Sequence, residues 1–547
     1  MNFVIGKKTG TYAETLEAVG LASLMGELGF GTVNICDKGG EFVLRTSKDP
    51  QPGNWPAFIQ PGYPYIWENS KEAKPDLPWV VNYEEEKTKR DAVRKAGKKS
   101  KANLEAHDIE APAPPVPELN TAVNLASMRK GWNADRDLAK WIAANSASVA
   151  QWIQSAIDVE AKPPTDLPGV SNTQILNPIS GKGVNSSKTE IRSAGSLPGQ
   201  LVDPFSEWMK IRGLWKAMLL CRSDDDFKFF VIEPGEIDFE DLGSVRSALD
   251  GMNLWGGVRL DINATLQCVK VLIGLSDAVQ SGTGRIRLRR RSPRQIIRGL
   301  RQAYFKSLGT AAALMNDAFL PLPDWFSVEE AEDADAYLQI IDELIEKGGC
   351  LNSLQDGNSD DGRILQVFRE WLLTGELSDL LEFHHLFAPH LMRRFSSGEW
   401  ARPFGTTNLS KLLSKTYKEK LVTEIIEDNG FQSVARAIRN ATIYALTIPN
   451  IKREVRFGLA QKWKQKIKSG GNEFTEALAE FVQEYNWETA HRLKGVGHMV
   501  TTGELDSVMR LVGARGAELV GSLLLAYGYA RAPKVDAAQP DEEIPAA

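Results

Sequence analysis

The chain has 547 residues, 42% of them hydrophobic and 25% charged, a balance that supports a sizeable core and excludes a largely disordered or fibrous polymer. Lys and Arg total 65 against 71 Asp and Glu, a formal charge of −6, which excludes a uniformly basic nucleic-acid coat but not local basic faces. Four widely spaced cysteines (Cys36, Cys221, Cys268, Cys350) without a CxxC pair argue against a disulfide scaffold or zinc module and fit a reducing cytoplasm.

The first residues carry no basic segment leading into a long apolar run. The most apolar stretches, 266–275 and 519–526, fall short of the roughly 20 residues a membrane span needs. A soluble, cytoplasmic protein without membrane partners is expected. Residues 11–28 place Leu16, Val19, Gly20, Leu24 and Leu28 at three- and four-residue spacings and predict an amphipathic helix. Residues 30–36 and 41–45 predict two strands joined through Asp37-Lys38-Gly39-Gly40, a hairpin turn. Residues 49–78, rich in Pro, Gly and Trp, read as an ordered loop; 84–101 as a charged helix; 108–119, with Pro112, Pro114, Pro115 and Pro117, as a stiff linker or long loop. Helical spacing returns over 138–157, and 163–204 is a long polar loop of the kind that is functional or disordered. Residues 214–221 and 227–232 predict a strand pair around Ser223-Asp224-Asp225-Asp226, and 262–279 a helix. From about 404 the texture is helical, with one stripe through Phe474, Leu478, Phe481 and Tyr485 and another through Leu505, Val508, Val512 and Leu519. The expected architecture is α+β: a mixed N-terminal portion with small antiparallel sheets over 1–403, a C-terminal α-helical bundle over 404–530, and a disordered acidic tail over 531–547.

A search for catalytic groups returns little. His384, His385 and His390 match no zinc spacing and read as structural. Asp224–Asp226 and Asp360-Asp361 lie in turn-like sequence, where acidic residues serve the backbone. Gly181-Lys182-Gly183 and Gly282-Thr283-Gly284 lack the phosphate-loop pattern, and no serine elbow or HExxH occurs. No cofactor, no metal and no enzymatic activity are expected.

The basic clusters say more. Arg285, Arg287, Arg289, Arg290, Arg291, Arg294, Arg298 and Arg301 place eight arginines in seventeen residues with no acid among them. The first three alternate like one face of a strand, and Arg294, Arg298 and Arg301 recur like one edge of a helix. Such a surface calls for anions, and guanidinium forks grip phosphate oxygens bidentately. The competing reading is a salt-bridge network with the acidic run 329–335. A second cluster joins Lys452, Arg453, Arg456, Lys462, Lys464, Lys466 and Lys468 with Arg436 and Arg439 as a positive stripe on the bundle. A third, 87–101, has eight Lys or Arg against one Asp. Segregated positive charge on an acidic chain suits a protein that tracks a polyanion. In the polar loop 177–193, Lys182, Asn185 and Lys188 offer donors that could read base edges in a DNA groove; a mobile surface loop is the alternative.

Several segments resemble the large subunits of type I CRISPR effector complexes (Cascade): Ala435-Arg436-Ala437-Ile438-Arg439; Arg453-Glu454-Val455-Arg456-Phe457-Gly458-Leu459-Ala460-Gln461; Glu473-Phe474 with Tyr485-Asn486; and Leu523-Leu524-Leu525-Ala526-Tyr527-Gly528-Tyr529-Ala530. Gly20-Leu21-Ala22-Ser23-Leu24 and the run Asn177-Pro178, Gly181-Lys182-Gly183, Asn185 and Lys188 are similar to some of those proteins. The resemblance implies a subunit without catalytic activity, whose N-terminal α/β portion recognises the protospacer-adjacent motif on duplex DNA and whose helical bundle lies beside small subunits and steadies the displaced strand. Guide pairing reads the sequence proper, and the protein reads the short motif and the backbone. The implied partners are guide RNA, target double-stranded DNA, a repeated backbone subunit, a guide-end subunit, small subunits and a separate helicase–nuclease. In some such systems the gene also yields a small subunit matching its C-terminal part, for which Met392 would serve as an internal start. Two other classes remain open: a magnesium-dependent nuclease with scattered acids, and a protein-interaction scaffold whose arginines meet acidic partners.

Overall fold

Strand β1 (Asn2–Gly6) alternates exposed and buried residues, so Phe3 and Ile5 enter the core while Val4 faces out. A loop then leads to α1 (Tyr12–Glu27), where the Thr11 side chain accepts from the Ala13 N–H and Glu14 accepts from the Thr9 N–H. The Thr11 bond satisfies a donor that the helix start leaves orphaned, and the Glu14 bond ties the preceding loop to the first turn. Strands β2 (Val33–Asp37) and β3 (Glu41–Thr46) form the expected hairpin. Its turn is fixed by the Gly39 N–H donating to Asp37 Oδ1 at 2.8 Å, with Gly39 at φ +87°. The computed structural model describes residues 2–50, 54, 65–67, 80–82, 88, 141, 144–145, 175–178, 204–223, 226–250, 257–280, 284–289, 291–307, 312–417, 422–448, 453–494 and 497–533. Most of the expected loops at 49–78 and 163–204, and nearly all of the charged stretch 84–101, the linker 108–119, the helix 138–157 and the tail 531–547, lie outside these residues.

The further elements are β4 (Tyr65–Trp67), β5 (Val80–Asn82), α2 (Pro204–Ala217), β6 (Met218–Ser223), β7 (Asp226–Pro234), β8 (Glu236–Asp238), α3 (Phe239–Asp250), α4 (Val258–Gly274), the single turn α5 (Pro293–Ile296), β9 (Ile297–Ser307) and β10 (Ala312–Pro321). The helices that follow are α6 (Ala331–Ile345), α7 (Ser359–Thr374), α8 (Leu377–Ser396), α9 (Thr406–Thr416), α10 (Val422–Ile426), α11 (Asn429–Ala441), α12 (Ile443–Thr447), α13 (Leu459–Ser469), α14 (Gly471–His491), α15 (Thr502–Arg515) and α16 (Ala517–Gly528). The protein is therefore α+β, with small antiparallel sheets in its N-terminal half and helices in its C-terminal half.

The chain divides into two compact units: residues 1–255 with 294–322, and residues 256–293 with 323–547. The first holds two four-stranded antiparallel sheets, ordered β1-β3-β2-β8 and β10-β9-β7-β6, and the short parallel pair β4-β5. Helices α1 and α2 pack closely through Gly20 and Gly213. A Cβ on Gly20 would lie 1.8 Å from the Met209 carbonyl oxygen, and one on Gly213 1.8 Å from that of Leu16. The second unit is helical. α4 packs on α6 and α7, α8 on α13 and α16, and α11 on α15 and α16. Phe368, Trp371, Phe383 and Phe387 run through its core, where the Trp371 indole donates to the Tyr417 hydroxyl at 2.9 Å.

Three expectations are corrected. Residues 214–217 belong to α2, which passes into β6 with no breaker between them. Apart from Lys216 the residues 214–221 are apolar, so the helical and extended parts share one hydropathy pattern. Arg294, Arg298 and Arg301, expected along one edge of a helix, are divided: Arg294 lies in the single turn α5, while Arg298 and Arg301 lie on β9, which pairs with both β7 and β10. The expected boundary near 404 falls inside the second unit. There Glu343 of α6 accepts from the Gly405 N–H at 2.9 Å, the Asn408 amide at 2.7 Å and Arg531 at 3.2 Å, so helices upstream and downstream of 404 share one core.

Candidate nucleic-acid interface

The arginine-rich run is split between the two units at Pro293/Arg294. In the second unit the run follows α4. The Ile286 N–H donates to the Leu275 carbonyl at 3.2 Å, the Asp277 N–H to the Ile286 carbonyl at 2.9 Å, and Ser276 and Ile286 form one parallel bridge. Asp277 Oδ1 then accepts from the Leu288 N–H at 3.0 Å and the Arg289 N–H at 3.4 Å. The expected strand is reduced to that bridge, but the alternation is kept: Ile286 is 3% and Leu288 0% exposed, while Arg285, Arg287 and Arg289 are exposed. Among the described residues, neither Arg287 nor Arg289 meets a carboxylate. Arg290 lies outside the described residues, and Arg291 is half-buried.

The rest of the run belongs to the first unit and serves it internally. Arg294 sits half-buried in α5. On β9, Arg298 pairs with Asp37 at 3.0 Å, and Arg301 pairs with Glu233 while donating to the Gly10 carbonyl at 2.8 Å. Lys7 bridges Asp37 (2.9 Å) and Glu233 (3.2 Å). Burial alone would raise the Asp37 carboxyl; the Lys7, Gly39 and Arg298 donors outweigh it and hold Asp37 below its ordinary value. Two acids of the run 329–335, weighed above as a partner for these arginines, have other partners. Glu330 and Asp333 form the capping box of α6, and Lys415 pairs with Asp333.

The stripe expected on the bundle is largely consumed by the fold. Arg439 is 6% exposed and donates to the carbonyls of Ala530 (2.6 Å) and Tyr527 (2.9 Å). Arg453 is buried over the Tyr485 ring, donates to Thr489 Oγ1 at 2.9 Å and lies 3.8 Å from Glu488. Arg456, Lys462, Lys464 and Lys466 pair with Glu484, Glu480, Glu382 and Glu473. Only Arg436 of the two α11 arginines is exposed. Lys452, Lys182, Asn185 and Lys188 lie outside the described residues. At the root of that polar loop, Asn177 is fully buried. Its amide donates to Glu207 Oε2 at 3.0 Å and its carbonyl accepts from Lys210 at 2.9 Å. Glu207 and Lys210 escaped the sequence reading because a buried charged pair on an apolar helix gives no periodic signal.

Asp224 and Asp225 lie outside the described residues, and His384, His385 and His390 are buried in the second unit. His390 lies between Ser353 Oγ (3.1 Å) and Asp361 Oδ1 (3.0 Å), the atom order of a Ser–His–Asp relay. Ser353 is 2% exposed and donates to the Cys350 carbonyl, while Asp361 also accepts from Arg393 at 2.9 Å, so the hydroxyl is closed to a substrate. Burial pushes the His384 and His385 imidazoles down to about 3 and about 4. Among the described residues, no group of three His, Cys, Asp or Glu side chains could hold a metal ion, and no helix is long and apolar enough to cross a membrane. A groove of about 490 Å³ along α14 contains Trp487, 55% exposed and stacked on His491; its rim carboxylates Glu454, Glu480 and Glu484 are paired with Arg492, Lys462 and Arg456. No protein-family model matches the chain, and no curated protein matches it.

Proposed function

We propose that this protein is the large subunit of a guide-RNA-directed type I CRISPR surveillance complex. In this reading it recognises the protospacer-adjacent motif on duplex DNA, steadies the opened strands, and leaves cutting to a separate helicase–nuclease. The observation that carries the nucleic-acid part is the comb of Arg285, Arg287 and Arg289, presented outward by the buried Ile286 and Leu288. Guanidinium groups exposed at alternate positions on one side of the chain can each take a phosphate oxygen pair, and Arg287 and Arg289 are the two on which this reading rests. The resemblance of the bundle segments to Cascade large subunits supplies the particular complex, with guide RNA, target DNA, backbone, guide-end and small subunits as partners in the cytoplasm. Lys182, Asn185 and Lys188 are assigned to motif reading, and Arg290, Arg291 and Arg436 to backbone contacts.

The test is a tagged pull-down from the native host with mass spectrometry of the partners and sequencing of bound RNA. Short RNAs of uniform length sharing a repeat-derived end, together with several repeated-subunit proteins, support the assignment. A lone protein without RNA overturns it. Independently, the Arg287→Ala/Arg289→Ala double variant is expected to weaken duplex binding equally across sequences and to lower the salt slope by about two, since each neutralised phosphate contributes about 0.9. Unchanged affinity and slope would remove the comb from the interface.

A further inference from the structure

A comb of arginines binds a polyanion well only if the guanidiniums already stand on one side before the ligand arrives. A segment free to rotate would lose conformational entropy on binding. Among the described residues, 284–289 have no strand partner beyond the single Ser276/Ile286 bridge, and no longer ladder of hydrogen bonds holds them. Backbone bonds at Gly284 and Ile286 fix the first half of the segment, and past Ile286 one side chain takes over. The Asp277 carboxylate, three residues past the end of α4, takes two successive backbone N–H groups, those of Leu288 and Arg289. Those donors bracket the point at which the chain returns its arginines to solvent. Gly284 lies so close that a Cβ there would meet Asp277 Cα at 2.5 Å, so the approach of the two segments depends on glycine at that position. The Gly284 N–H donates to the Gln280 carbonyl at 2.8 Å and closes the base of the loop.

We propose that Asp277 is the positioning residue of the arginine comb: its carboxylate fixes the register in which Ile286 and Leu288 point inward and Arg287 and Arg289 outward. The inference rests on the nucleic-acid reading above and adds to it a residue of the wrong charge for binding a polyanion. Its negative charge near the comb opposes phosphate, yet its two hydrogen bonds set the geometry that receives phosphate. The two roles are separable, because an asparagine keeps the acceptor oxygen and loses the charge, whereas an alanine loses both.

The experiment measures binding of the full chain to a fluorescein-labelled 30-base-pair duplex across a salt series, for Asp277→Ala, Asp277→Asn and Arg287→Ala/Arg289→Ala, with a thermal melt on each. Asp277→Ala is expected to bind about tenfold more weakly with a salt slope lower by about one. Asp277→Asn is expected to bind as well as the parent or better. Tighter binding by both variants would mean that Asp277 acts only as a charge, and equal losses tracking the melting temperatures would mean that it acts only in folding; either overturns the proposal. If the arginine double variant binds like the parent, the interface itself is misplaced. If that variant fails to bind while Asp277→Ala does not differ from the parent, only the positioning role is lost. Should Asp277→Ala not fold, hydrogen exchange on the parent decides: the Leu288 and Arg289 amides must be protected before DNA is added, and fast exchange in the free protein overturns the proposal.

Discussion

Arg439 and Arg287 carry the same guanidinium and show why sequence spacing alone cannot assign its work. Arg439 is spent on two carbonyls at the end of α16, where truncation would leave buried acceptors unpaired. Arg439→Ala is therefore expected to cost about 2–4 kcal/mol of stability while leaving the salt slope of DNA binding unchanged, the reverse of the Arg287→Ala/Arg289→Ala pattern. Urea unfolding and a salt titration on the two variants separate them; a changed slope with unchanged stability for Arg439→Ala would return that residue to the interface. The histidines make a second residue-scale prediction. His384 ordinarily titrates at 6.5 and is pushed down to about 3, first by burial and then by its neighbour His385. The unfolded chain binds this proton before the native state does, so the contribution of a neutral His384 is complete above about pH 6.5 and is lost as pH falls toward 3. Replacing His384 by Met should flatten the fall of unfolding free energy between pH 5.5 and 4 by about 1.4 kcal/mol per pH unit. Parallel pH profiles for variant and parent would contradict the assignment.

Among the elements, the closest approach between helices is that of α1 and α2, and it is set by two glycines. Either Gly20→Ala or Gly213→Ala puts a methyl group on a backbone carbonyl that cannot rotate away, and overpacking of this kind costs roughly 1–3 kcal/mol or more. Both variants should lower the thermal stability of the first unit, seen as loss of the transition to which its sheets contribute; melting at the parent temperature would mean that the helices separate without cost. The β2–β3 hairpin, α4 and most of the long C-terminal helices were legible because their periodicity survives burial on one face or their turn residues fix the chain locally; α1 was legible as a helix but not as the amphipathic one expected, since it is buried on nearly every side between α2 and the sheets. Strand β1 was not, since five residues at a terminus offer too short an alternation. Strand β9 was misread for a physical reason: Arg294, Arg298 and Arg301 recur at helical intervals, but what decides the segment is pairing with β7 and β10, strands distant in sequence or not yet recognised. The comb was half legible. Its alternation is in the sequence, whereas the Asp277 anchor that replaces a neighbouring strand is a tertiary contact. The consumption of Arg439, Arg453 and Lys464 by carbonyls, an aromatic ring and Glu382 also depends on residues far along the chain.

At the scale of the whole molecule, the segments that carry the Cascade resemblance are mostly packing segments. Gly528 meets Ile438 so closely that a Cβ would lie 2.4 Å from its Cγ2, and Gly521 does the same against Ile467 and Phe474. These residues fix how α16 is enclosed by α11, α13 and α14, which describes the fold of the second unit more than any site on it. The same enclosure bears on an internal start at Met392. That methionine lies in the last turns of α8, 5% exposed, and a product beginning there would lack α6, α7 and most of α8. It would lose Glu382, which pairs with Lys464, and Glu343, which anchors Gly405, Asn408 and Arg531. It would also uncover the faces of α13 and α16 that α8 covers. A fragment starting at Met392 is therefore expected to be less stable than one spanning 323–533, and to gain stability from a partner that presents a helix to the bared face. Urea unfolding of the two fragments, repeated with an added peptide of residues 377–396, checks this. Equal midpoints without the peptide would show that the bundle closes without α8 and would make Met392 a structurally adequate start for a separate subunit.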